Sequence, residues 1–284
     1  LFYTPDDVVA HMGKARQRGE KAERAWQKRL QTLQQKHPDL AAAFKQALGN
    51  ELPAGWDEGL NDLFKAGDKP VATREAAGRV LNAVAQRVTT LMGGSADLAP
   101  STRTLLKGAA DFSAADRTGR NMHFGVREHA MGSICNGMAL HGGFIPYAST
   151  FLVFSDYMRP PIRLAALMEQ QVVYVFTHDS VGVGEDGPTH QPVEQITALR
   201  TIPRLTVIRP ADATESVEAW RAALLNRHGP TALILTRQNL PILDRAALAP
   251  ATGVQRGGYV LWQSAAEPDA ILIATGSEVH IALD

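Results

Sequence analysis

Two histidines, three acids and three glycines crowd into one short stretch of this chain. Residues 177–191, THDSVGVGEDGPTHQ, hold His178, Asp179, Glu185, Asp186 and His190. Gly182, Gly184 and Gly187 meet the G-x-G-x-x-G spacing of a dinucleotide loop. That match is weak. Such a loop aims bare amides at a diphosphate, whereas Glu185 and Asp186 would repel one, and Pro188 stands where a helix should already be under way. A metal site would draw on the same histidines and acids, but the interval from His178 to His190 fits neither a helical ligand pair nor a usual zinc pattern. A third chemistry is a polar grip on a ligand with several hydroxyl groups. Histidine and aspartate both exchange hydrogen bonds with hydroxyls, and histidine also carries protons near neutral pH. A solvated turn with incidental histidines is the plain alternative.

A second focus is residues 121–141, NMHFGVREHAMGSICNGMALH, read as a strand, a glycine-containing turn and a helix opened by Arg127, Glu128 and His129. A carboxylate at a helix start is favoured by the unpaired amides and the dipole there, so Glu128 reads as a first-turn acid. It also reads as an acid facing a cleft, because strand-to-helix junctions are where open α/β sheets bind ligands.

The elements around these residues alternate. Residues 1–50 are polar and helical in pattern, with breaks at Pro38 and at Gly49-Asn50; residues 51–70, rich in glycine and proline, read as a linker. Thr73 is placed to cap a helix with the stripe Ala76, Val80, Val84 and Val88. Strands are expected near 91–97, 142–147, 172–176, 205–208, 232–235 and 270–274. A helix opened by Pro160-Pro161 is expected to run to Gln170, and a capping box at Asp212–Glu215 starts another. This alternation predicts an α/β fold: a doubly wound, mostly parallel sheet with helices on both faces, preceded by a helical arm. The residue after the 172–176 strand then falls at the carboxyl edge of the sheet, the expected ligand edge.

Bulk composition removes several function classes. Lys plus Arg and Asp plus Glu both number 29, which leaves no electrostatic footprint for nucleic acid or a membrane surface. No apolar run approaches a membrane span. One cysteine, Cys135, precludes an intrachain disulfide and suits a reducing, cytoplasmic setting; it reads as a small core residue. The chain starts at Leu1 without a signal-peptide pattern or an initiator Met and stops just after a strand-turn-helix start, so a piece of a longer polypeptide is expected.

Taken together, the motifs resemble those of the transketolase family. GGSADLAPS (residues 93–101), GVREHAM (125–131), HGGFIPYASTFLVF (141–154), THDSVGVGEDGPTHQP (177–192) and LTRQNLP (235–241) occur in the family's order and spacing. The resemblance covers about the whole chain and is most specific at 177–192. It implies the pyrimidine-binding domain of a thiamine diphosphate enzyme, at residues 71–250, between a helical arm and linker (1–70) and the start of a third domain (251–284). It implies transfer of a two-carbon ketol unit from a ketose phosphate to an aldose phosphate in the pentose phosphate pathway. Glu128 matches the family glutamate that shares a proton with the aminopyrimidine ring, a role neither a cation nor an amide fills. Phe154 would stack on that ring with Phe151 beside it. His190 and Asp186 would grip sugar hydroxyls near the reacting carbons, and Arg74, Ser101, His178 and Arg237 would hold the sugar phosphate. Without the resemblance, Arg74 is a first-turn residue and Arg237 merely follows a strand.

The family's diphosphate domain carries a GDG sequence and a downstream Asn for Mg2+ or a similar divalent cation. This chain contains no GDG, so those ligands are expected on another segment or chain, the active site is expected to close across a homodimer, and the chain alone is expected to be inactive. Deoxyxylulose-phosphate synthase, a nucleotide-binding oxidoreductase resting on the glycine spacing and Arg209, and a non-catalytic dimerisation module are the competing readings.

Overall fold

The strand at 173–177, VYVFT, is a run of β-branched and aromatic residues, whereas the strand at 91–95, LMGGS, has none and owes its place to packing between its neighbours. The computed structural model describes residues 3–184, 186–264 and 267–284; Glu185 of the acidic loop lies outside them. The chain divides into two units, Leu1–Glu51 and Leu52–Asp284. In the first, α1 (Asp6–Lys36) begins with two acids and ends on a lysine, matching the helix dipole at both ends. Pro38 opens α2 (Pro38–Leu48) at a position that needs no N–H donor, so the expected break falls there.

The second unit contains the strands β1 (Leu91–Ser95), β2 (Asn121–His123), β3 (Ile145–Phe151), β4 (Val173–Thr177), β5 (Thr206–Ile208) and β6 (Thr231–Leu235). They form one sheet in the order β2-β1-β3-β4-β6-β5, with every strand pair parallel. The two-residue period of the strands sorts side chains between two apolar layers. Val173, Val175, Leu233 and Leu235 join α3 (Thr73–Ala85) and α8 (Ala213–Leu225) on one face. Tyr174, Phe176, Ala232 and Ile234 join α5 (Glu128–His141), α6 (Ser155–Leu167) and α7 (Gln195–Arg200) on the other. The doubly wound arrangement expected from the sequence is the one found. Gly94 is what lets β1 sit close to β2: a Cβ there would lie 1.8 Å from the Met122 carbonyl oxygen.

Four local expectations change. Thr73 does not cap α3; it is the first helical residue, and its hydroxyl accepts the Thr236 N–H at 2.8 Å. Residues 52–70 do not form a free linker, because Leu60 and Phe64 are buried in the core. Pro160 and Pro161 lie inside α6 and do not open it. Interior prolines remove helix hydrogen bonds, but Pro161 is buried against α5, where Gly132 leaves room and Asn136 Nδ2 donates to the Pro161 carbonyl at 2.8 Å. Residues 270–274 form no strand: Ile271, Leu272 and Ile273 are exposed, and no described neighbour pairs with them. Cys135 is buried and free, and burial pushes its thiol up to about 12, so it is an inert core residue.

Candidate active site

In a parallel sheet the loops that leave the carboxyl ends of the strands share one edge. Strand order reverses between β1 and β3, since β1 leads outward to β2 while β3 leads the other way to β4. A crevice forms at such a switch point. The residues singled out above follow β1 (Ser101), β2 (Glu128), β3 (Phe154), β4 (His178, Asp186, His190) and β6 (Arg237), with Phe151 as the last residue of β3. Arg74 reaches the same edge from α3, whose first turn bonds to the end of β6 through Arg74 N and the Thr236 carbonyl.

Glu128 is the first residue of α5 and is only 7% exposed. Its carboxylate accepts a hydrogen bond from Thr150 Oγ1 on β3 at 3.3 Å. It lines a cleft of about 430 Å³ together with Val126, Arg127, His129, Phe154 and Tyr157. Phe154 ends a short 3-10 turn, Leu152–Phe154, that directs its ring toward this cleft. Its ring lies 6.0 Å from Phe151 at 11° and 6.3 Å from Tyr157. An enclosed carboxyl beside an aromatic ring suits a flat, hydrogen-bonding heteroaromatic ligand.

The other end of the crevice is cationic. His178 is buried, in the left-handed backbone region at φ 63°, with Nδ1 2.8 Å from the Thr177 hydroxyl. Phe151 lies 3.9 Å from its ring. Burial, then Arg74 and Arg237, lower its pKa to about 4, against the pull of Asp186. The imidazole is therefore neutral at physiological pH. Arg74 Nη1 donates to the Ser101 carbonyl at 2.8 Å, while its buried Nε has no partner among the described residues. Burial lowers the Arg74 pKa, and nearby Arg103 and Arg237 lower it further against Glu75. Arg237 donates to the Val183 carbonyl and so holds the 177–191 loop. Clustered guanidinium groups with an unused buried donor suit an anion of phosphate geometry.

His190 joins the two ends. Its ring lies 5.3 Å from Phe154 and 5.9 Å from Phe151, both edge-on. Asp186 is exposed on the same loop and acts electrostatically on His178. Of the residues selected from the sequence, Glu128 and Phe154 line one cleft, ring contacts link Phe154 and Phe151 to His190 and Phe151 to His178, and His178 is close enough to Arg74, Arg237 and Asp186 to feel their charge, with Ser101 bonded to Arg74. The loop does not continue into a helix after Gly187 but makes a 3-10 turn, Pro188–His190. Arg209, the arginine of the oxidoreductase reading, is buried in an ion pair with Asp179. Among the described residues no group of three or more His, Cys, Asp or Glu is placed to hold a metal ion.

The family described as "Transketolase, pyrimidine binding domain" matches residues 69–242, more than half of the chain. The chain belongs to the transketolase family. A second transketolase family, described as the thiamine diphosphate binding domain, matches residues 1–53. The chain is 51% identical over 282 residues to a transketolase of Aquifex aeolicus, covering 99% of this chain and 40% of that protein. A transketolase of Halalkalibacterium halodurans is 51% identical over 283 residues, with 100% and 42% covered. The crystal structure of Pichia stipitis transketolase in complex with sedoheptulose-7-phosphate superposes with a TM-score of 0.93 at 40% identity, over 99% of this chain and 42% of that one. The chain thus spans about two fifths of the length of the transketolases it matches.

Two features of this transketolase-family site carry no motif in the sequence. Thr150 on β3 hydrogen-bonds Glu128, yet it reads only as an interruption of an apolar run. Tyr157 lines the cleft one helical turn after Phe154, and that spacing was the available signal.

Proposed function

We propose that this chain supplies the pyrimidine-binding and sugar-phosphate-binding half of a transketolase, an enzyme that moves a two-carbon ketol unit from a ketose phosphate to an aldose phosphate in the pentose phosphate pathway. The observation that carries the proposal is a chain of neighbours at the carboxyl edge of the sheet: Glu128 and Phe154 share a cleft, Arg74, Arg237 and His178 act on one another electrostatically, and the His190 ring lies edge-on to Phe154 and Phe151 between them.

Thiamine diphosphate would supply the nucleophilic carbon and the electron sink that side chains lack. Glu128 would hold its aminopyrimidine ring by a shared proton, with Thr150 fixing the carboxylate from the β3 side. Phe154 would face that ring, with Phe151 behind it. Arg74, Ser101, His178 and Arg237 would bind the sugar phosphate. Asp186 and His190 would orient the hydroxyls next to the reacting carbons, and His190 would carry a proton there. A neutral His178 offers its free ring nitrogen as a donor or an acceptor as the ligand requires.

Ligands for the diphosphate and for Mg2+ or a similar cation would come from a diphosphate-binding segment elsewhere in the polypeptide or on another chain, with the site closing across a homodimer. The assignment of residues 71–250 to the pyrimidine-binding domain and 251–284 to the start of a third domain belongs to the same proposal, whereas the first boundary moves from residue 70 to Glu51 because Leu60 and Phe64 pack into the core of the second unit. No helix among the described residues is long and apolar enough to cross a membrane; we place the enzyme in the cytoplasm. Two assays test the reading. The full-length polypeptide should convert a pair of pentose phosphates, and absence of product rejects the activity. The 284-residue chain alone should not, and turnover by it rejects the division of labour.

A further inference from the structure

Asp179 of the 177–191 loop is buried in an ion pair with Arg209, and neither residue is among those assigned to a ligand above. Asp179 follows His178 directly, and its side chain is 1% exposed. Arg209, in the loop after β5, donates from Nε to Asp179 Oδ2 at 2.7 Å, and its side chain is 8% exposed. The remainder of the guanidinium is committed as well: Nη1 bonds the Thr275 carbonyl at 3.0 Å and Glu278, and Nη2 bonds Glu278 Oε1 at 3.1 Å. The Arg209 carbonyl accepts the Gly276 N–H at 3.1 Å. One planar fork thus fastens the loop after β4 to the loop after β5 and to residues 275–278, which a single ammonium group could not do.

His178 needs such an anchor. A non-glycine residue at φ 63° persists only where its surroundings over-determine it. Thr177 fixes the imidazole through Nδ1 and Phe151 lies against its ring, but neither holds the backbone that follows. Asp179 does, through Arg209.

We propose that Asp179 and Arg209 are positioning residues for the sugar-phosphate end of the crevice: their buried pair locks the left-handed turn at His178 and so sets the imidazole against Phe151 and beside the two arginines. The inference rests on the reading of His178 as a phosphate-binding residue. It also makes residues 275–278 a support for that site, since Glu278 and Thr275 share the same guanidinium.

The test uses the full-length polypeptide. Asp179→Ala and Arg209→Lys should each raise KM for the sugar phosphate roughly fivefold or more with kcat within about twofold of the parent. Asp179→Asn, which keeps an acceptor oxygen, should restore most of the loss. Calorimetry with ribose 5-phosphate, without thiamine diphosphate, should show the same weakening. In a His178→Ala background, Arg209→Lys should have no further effect on KM, because the two act as one unit. If Asp179→Ala does not fold, Arg209→Lys carries the test, since it leaves no buried carboxylate without a cation. Unchanged KM in the variants, equal losses in KM and kcat, or full additivity with His178→Ala would overturn the inference. If His178→Ala itself leaves KM unchanged, the phosphate reading fails and the inference with it.

Discussion

The two ends of the crevice are built differently. The cationic end draws on the loops after β1, β4 and β6 and the start of α3, and it is fastened by Arg74 to Ser101, Arg237 to Val183 and Asp179 to Arg209. The carboxyl end rests on one helix start and a 3.3 Å hydrogen bond from Thr150. The cationic end is pre-organised for a charged group whose position it dictates. The carboxyl end offers a group whose partner completes its hydrogen bonding. The difference predicts that changes at one end alter turnover and changes at the other alter sugar-phosphate affinity.

The largest effect should come from Glu128→Gln in the full-length polypeptide. Loss of a positioned acid–base group costs roughly 10²–10⁴-fold in kcat, and the thermal midpoint should stay near the parent value. Steady-state kinetics with pentose phosphates checks it; an unchanged kcat would remove Glu128 from the chemistry. Next is Arg237→Gln. Hydrogen bonds to charged groups contribute about 1.5–3 kcal/mol, so KM for the sugar phosphate should rise roughly 13–160-fold while kcat holds. A fall in kcat alone would blur the distinction between the ends.

Phe154→Leu should act more weakly and only at the cofactor. Aromatic pairing contributes about 0.5–1.5 kcal/mol, so thiamine diphosphate affinity should drop roughly two- to twelvefold, read by calorimetry. The smallest effect concerns acid stability. The pKa of His178 is about 4 when folded, below the ordinary value of 6.5. The unfolded chain takes up a proton near pH 6.5 while the folded chain resists until about pH 4. Stability should therefore fall as pH drops through that window and level off below it. His178→Gln should flatten the slope in a pH series of thermal melts; an unaltered slope would show that the imidazole is not held neutral by the fold.

Much of the frame was legible from period and caps. The β-branched run of β4 and the Asp212–Glu215 start of α8 form where expected, with Asp212 accepting the Glu215 N–H at 2.8 Å, and the α3 stripe forms through Val84, with Val88 buried just beyond the helix end at Ala85. The errors came from tertiary context. Paired prolines signal a helix start, but packing on Gly132 lets α6 begin earlier. Residues 270–274 have strand composition but no paired neighbour. Of the site, the 177–191 loop and Glu128 stood out as concentrations of chemistry. Arg74 and Arg237 did not, because a first-turn arginine and an arginine after a strand are commonplace, and only the family motifs singled them out. Arg209 suggests a nucleotide only by its place after the strand that follows the glycine-rich loop, whereas its burial with Asp179 makes it a brace.

The central claim is that one crevice holds a ring at the Glu128 end and a phosphate at the Arg74–Arg237 end. A crystal structure of the full-length protein with thiamine diphosphate and a sugar phosphate tests it most directly. The account predicts a Glu128 carboxylate oxygen within about 3 Å of a pyrimidine ring nitrogen and phosphate oxygens at the same range from Arg74 Nε and Arg237. A Glu128 side chain turned into bulk water, or a phosphate seated away from both arginines, would contradict it.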